Sequence, residues 1–130
     1  MSDATVAEPI PIVSPMGKAS GWFVAITVGE KILGFVQLEQ DGTFSRFSTF
    51  QQRPGSLSGC PDARSWTDPA FILKIAKGHA PRSGRLGKAF LTYDGNLARL
   101  AWAVPLRARG RRDTIYVAGE YVYRHAADEL

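Results

Sequence analysis

The chain has 130 residues, 45% of them hydrophobic and 22% charged, with a formal net charge of +4. That length supports one domain with its own core, the composition excludes a disordered low-complexity polymer, and the longest apolar runs are too short for a helix that crosses a bilayer. The single cysteine, Cys60, excludes an internal disulfide and fits a reducing compartment. The N-terminus opens with acids and prolines where a secretory signal needs basic residues and then an apolar stretch, so the expected location is the cytoplasm.

Residues 1–20 carry Pro9, Pro11 and Pro15 with no apolar alternation, which predicts a flexible, extended arm ahead of a single domain over 21–125 and a tail over 126–130. The run WFVAITV at 22–28 is β-branched and aromatic, Gly29, Glu30 and Lys31 make a tight connection, and 32–40 resumes as a second strand. Asp41-Gly42 is a strong hairpin signal, because both central residues of the favoured turn need positive φ, and 43–50 follows as a third strand. A long loop over 51–66, with Pro54, Gly55, Gly59 and Pro61 among serines, reads as a lid or binding segment.

The stretch 65–78 predicts the principal helix, with its regular turns at 69–77. Asp68 stands at the N-cap and Pro69 at the first helical position, Gly78 is placed to end the helix in the left-handed conformation, and Pro81 lies beyond. Phe71, Ile72 and Ile75 recur on one face, which a sheet must cover, and Lys74 and Lys77 suit the negative end of the helix dipole. A basic connector over 79–87 carries Arg82 and Arg85. A fourth strand at 88–93, a turn at Asp94-Gly95-Asn96, a fifth strand at 97–106 and a sixth at 114–124 complete a second meander. The fifth strand is apolar on both alternating sets, as a central strand covered on both faces should be, and Arg99 is its odd residue. The expected fold is α+β: a six-stranded antiparallel sheet of two three-stranded meanders, with one principal helix between them.

Several short motifs resemble a known family. FVQLEQDGT at 35–43 is similar to a strand and turn entry, DPAFILKIA at 68–76 to an Asp-containing lead into a Phe-bearing helix, FLTY at 90–93 to the strand that follows, and VAGEYV at 117–122 to a final strand carrying Gly119, Tyr121 and Val122. Together, over 32–124, they resemble the PAS-like Cache subgroup of ligand-sensing domains. Cache domains usually follow a long N-terminal helix and lie between membrane anchors, neither of which is read here. The resemblance therefore implies a free-standing domain with a small-ligand pocket between sheet and helix, lined by the fourth to sixth strands and closed by the long loop.

The residues that could line such a pocket are few. Arg99 could offer a guanidinium to a carboxylate ligand, or pair inside the protein with Glu120 on the neighbouring strand. Tyr93, Trp102 and Tyr121 combine apolar bodies with polar tips, which suits a binding site as well as a core. The leading expectation is a non-enzymatic binding or sensing module for a small anionic compound, with a homodimer or a signalling protein as further partners and no membrane association.

His79, His125 and Cys60 are scattered, with no base, acid or oxyanion donor spaced to join them, so neither a catalytic set nor a metal site is read, and no cofactor is expected. Arg107, Arg109, Arg111 and Arg112, with Arg82, Arg85 and Lys88 in reach, read as a solvated hairpin end. The alternative is a nucleic-acid or anionic-surface binder, for which stacking aromatics are needed and are missing from that loop. A small β-barrel ligand carrier is the third reading.

Overall fold

The computed structural model describes residues 4–53, 55–95 and 99–126, with 125 and 126 described by backbone alone. It contains strands β1 (Ala4–Val6), β2 (Ile10–Val13), β3 (Ala19–Val28), β4 (Lys31–Leu38) and β5 (Phe44–Thr49), then helices α1 (Arg64–Thr67) and α2 (Pro69–Lys77), then β6 (Arg85–Leu86), β7 (Phe90–Tyr93), β8 (Leu100–Ala108), β9 (Arg111–Ala118) and β10 (Tyr121–Ala126). All ten strands belong to one sheet whose main path runs β10-β9-β8-β7-β2-β3-β4-β5, with β1 on β3 and β6 on β8. The expected six-stranded sheet with one principal helix is therefore incorrect: the fold is mostly sheet, with two short helices.

Each difference has a local cause. The stretch read as an arm supplies β1 and β2, which pair antiparallel with β3 through Ala4↔Val28 and Ile10↔Phe23. Proline lacks an N–H, but its fixed φ suits extended chain, so IPIV forms a strand with Ile12 fully buried. β2 also meets β7 in parallel at Ile12↔Leu91, and this contact joins the two meanders into one sheet. The expected sixth strand is two, because Gly119 takes a positive φ of 64° and turns β9 back into β10. The basic segment at 107–112 is a hairpin with strand on both sides of a two-residue turn, Arg109 (φ 53°) and Gly110 (φ 73°). The expected fifth strand begins at Leu100, which leaves Arg99 before it; Asn96, Leu97 and Ala98 lie outside the described residues.

The helix over 69–77 is present with the expected start. Asp68 accepts hydrogen bonds from the backbone N–H groups of Ala70 (3.0 Å) and Phe71 (3.4 Å). Pro69 disfavours a helical conformation in the residue before it, so Asp68 is extended (φ −116°, ψ 101°) and separates α1 from α2. Gly78 is right-handed (φ −67°, ψ −16°), and the chain leaves α2 through further turns in which His79 and Ala80 donate to the carbonyls of Ala76 and Lys77.

Both helices lie on one face of the sheet. Ile72 and Ala76 are fully buried there with Trp102, Val104, Ile115 and Val117, while Ile75 is half-buried against the same cluster. Phe71 is half-buried, with the Arg64 guanidinium 4.4 Å above its ring. Complete burial of one side chain the size of Ile72 is worth about 1.5–3 kcal/mol. The long loop is tied to the β3–β4 turn: Ile32 N–H donates to Pro61 (3.1 Å) and Ala63 N–H donates to Glu30 (2.8 Å).

Asp68→Ala should lower the unfolding free energy by about 0.5–2 kcal/mol, the usual cost of a lost N-cap, and Asp68→Asn should recover most of it. Urea midpoints at constant m value provide the measurement, and a midpoint unchanged in the alanine variant would show that α2 does not depend on its cap.

Candidate functional site

Trp66 defines the site. α1 is a single turn without a side-chain N-cap, too short to hold its shape alone, and tertiary contacts fix it. Trp102 on β8 donates its indole N–H to the Trp66 carbonyl at 3.0 Å, inside the core. The Trp66 ring then stacks with Phe23 and Phe35 and packs at a tilt on Phe50, with centroids 5.9, 6.3 and 5.9 Å away. These rings come from β3, from β4, and from the first residue after β5.

The indole N–H of Trp66 is buried and, among the described residues, has no hydrogen-bond partner. It lies under the β9–β10 turn, where a Cβ on Gly119 would come within 3.2 Å of it. Positive φ and this close approach both favour glycine at 119. Beside that edge an open cleft of about 440 Å3 separates the long loop, at Gln52 and Cys60, from the turn at Gly119, Glu120 and Tyr121, with Phe50 and Trp66 in its wall. Among the described residues that line it there is no lysine, arginine or histidine. The cleft is thus aromatic on its inner side, has a buried donor behind the Gly119 turn that bounds it, and has a carboxylate, Glu120, at its rim.

Two of the five residues expected from sequence, Glu120 and Tyr121, meet in this cleft. Both are exposed, Tyr121 to 77%. Trp102 is buried and acts through its bond to Trp66, and Tyr93 is half-buried against the core on the neighbouring strand. Arg99 does not supply charge to the cleft: its side chain is 67% exposed and its nearest anionic partner is Asp94, at 4.0 Å, rather than Glu120. Sequence reasoning missed Trp66, Phe50 and Gly119 as a unit, since their meeting depends on the turn of β9 into β10.

Asp94 also accepts a hydrogen bond from the Tyr123 phenol at 3.0 Å, and the Tyr123 ring stacks on Tyr116 (centroids 5.1 Å apart, planes within 15°). Burial, reinforced by the bond to Asp94, pushes the Tyr123 phenol from its ordinary value of 10.0 up to about 12, and burial raises Tyr116 as well. Among the described residues no three His, Cys, Asp or Glu side chains are grouped to hold a metal ion, and no helix is long and apolar enough to cross a membrane.

No family model, no curated protein and no solved structure matches the chain.

Because the folded state raises the Tyr123 pKa, the stability this phenol contributes is complete below pH 10 and is lost as pH rises through about 12. Urea midpoints should fall more steeply over that interval in the native protein than in Tyr123→Phe. Parallel curves would show that the phenol is not held as described.

Proposed function

We propose that the protein binds a small, planar, neutral molecule in the cleft between the long loop and the β9–β10 turn. One observation carries this reading: behind the wall of an aromatic cleft the buried Trp66 N–H has no acceptor among the described residues. A buried donor left unpaired costs about 1–3 kcal/mol, so a carbonyl or ring nitrogen of a ligand that enters the cleft and shifts the Gly119 turn aside to reach the N–H recovers what the apo fold loses. Phe50 and Trp66, backed by Phe23 and Phe35, provide a preformed apolar wall, and the long loop forms the opposite side. The small-ligand expectation is kept and its charge revised. Arg99 lies on Asp94, and the described lining carries a carboxylate without a cation, which disfavours an anionic guest. The buried, unpaired Cys60 in the same wall suits a reducing compartment such as the cytoplasm.

The test is a fragment screen read by the three tryptophan indole N–H resonances. Planar compounds bearing a carbonyl or ring nitrogen should shift the Trp66 signal well beyond those of Trp22 and Trp102. Trp66→Phe, which keeps the stacking and removes the donor, should weaken the best fragment about 3- to 10-fold, in line with one neutral hydrogen bond of roughly 0.5–1.5 kcal/mol. Fragments that leave Trp66 unmoved, or that bind Trp66→Phe equally well, would defeat the reading.

A further inference from the structure

The register of β6, β8 and β9 sets three arginines in one row. Arg85 lies opposite Arg107, and Arg107 lies opposite Arg112. All three are exposed, and all three line a shallow groove of about 430 Å3 with Pro105, Asp113 and Thr114. Directly opposed side chains on adjacent strands are about 4.5–5.5 Å apart at Cβ, and like charges in that relation destabilise a sheet. Among the described residues none of the three makes an ion pair or side-chain hydrogen bond. Asp113, the carboxylate in the groove, is engaged by Arg124 at 2.6 Å. The positive charge is continued at the hairpin tip by Arg109 and Arg111, both exposed.

The fold also brings aromatics to this face, which the hairpin segment by itself lacks. Along β9, Arg112, Thr114 and Tyr116 alternate onto the same side, so Tyr116 stands about 13 Å from Arg112 at roughly 3.3 Å per residue. Tyr123 on β10 pairs with Tyr116 in register and stacks on its ring. This side of the sheet is opposite the one on which Ile115 and Val117 join the core. A row of exposed guanidiniums leading to a half-buried aromatic pair on the same face of a sheet is the arrangement that holds a sugar-phosphate backbone while presenting a ring to a base.

We infer that the outer face of β6, β8, β9 and β10 binds single-stranded nucleic acid, with Arg85, Arg107 and Arg112 on the phosphates and Tyr116 as the stacking platform. The site is separate from the Trp66 cleft: no residue lines both. Anionic lipid is disfavoured because, among the described residues of the groove, the one exposed apolar side chain is the small ring of Pro105, which with Thr114 lies between the arginines and the tyrosines.

The test is fluorescence anisotropy with a labelled 15-residue oligothymidylate, using the full chain at several salt concentrations. The native protein should bind, with affinity falling as salt rises. Arg107→Ala should weaken binding about 3- to 10-fold. The triple variant Arg85→Ala, Arg107→Ala, Arg112→Ala should weaken it by more than about 30-fold and flatten the log–log salt slope by about 2, at roughly 0.7 per phosphate contact. Tyr116→Ala should weaken oligothymidylate about 5-fold or more while leaving inorganic polyphosphate unaffected, and Tyr116→Phe should restore the affinity. Thermal melts confirm that each variant is folded, and Arg107→Gln replaces the triple variant should that one not fold. Absence of oligothymidylate binding at 50 mM salt, an unchanged slope in the triple variant, equal loss of oligothymidylate and polyphosphate in Tyr116→Ala, or stronger binding to vesicles of anionic lipid would each overturn the inference.

Discussion

The bond from the Trp102 indole to the Trp66 carbonyl determines where the rest of the molecule can go. Trp102 is on β8, paired with β7 on one side and β9 on the other, so its position is set by the sheet. Trp66 is on a one-turn helix with no intrinsic stability. The bond transfers the order of the sheet to α1. Once α1 is fixed, Asp68 is in place to cap α2, Phe50 has a ring to pack against, and the loop between them closes over the β3–β4 turn. Removing the donor would leave the Trp66 carbonyl unpaired in the core, at a cost of about 1–3 kcal/mol, and would release the ring that forms the wall of the cleft.

The same bond explains the orientation of the unpaired Trp66 N–H. With its backbone held by Trp102 and its ring held by Phe23, Phe35 and Phe50, the indole has no freedom to turn its nitrogen toward another protein acceptor. A core chosen for stability alone would place a phenylalanine here, since it stacks as well and leaves nothing unpaired. A donor kept at such a position is what the proposed ligand site would use.

What was legible in the sequence follows from the range of the interactions involved. Asp68-Pro69 is a local signal, and it marks the start of α2 as expected. Asp41-Gly42 lies in the turn between β4 and β5 for the same reason. Apolar residues on both alternating sets of the expected strand over 97–106 fit β8, which lies inside the sheet and is buried on both sides over 100–104, whereas the inclusion of Arg99 began it too early. β1 and β2 were not legible, because three prolines mask a segment whose partners, Phe23 and Leu91, are 13 and 79 positions away from Ile10 and Ile12 respectively. The split of the last strand hinged on one glycine in a run otherwise rich in strand formers, and Gly119 is decided by its neighbour Trp66, far away in sequence. Of the candidate site, Tyr121 and Glu120 could be found from their strand, but the cleft exists only through that long-range contact.

The arginine row illustrates the same limit from the other direction. In sequence, Arg107, Arg109, Arg111 and Arg112 are a charge run, and such runs at turns generally serve solubility. Strand pairing sorts them. A two-residue turn places Arg107 opposite Arg112, and the short β6 adds Arg85 on the far side, whereas Arg109 and Arg111 fall at the tip. The sorting also decides which aromatics share the face, since a shift of one residue in the β8–β9 register would send Arg112 and Tyr116 to the core side and bring Ile115 and Val117 into solvent. Burial of Ile115 and Val117 is therefore what holds the arginines and tyrosines together on the outer surface: the hydrophobic core fixes the register, and the register composes the charged face.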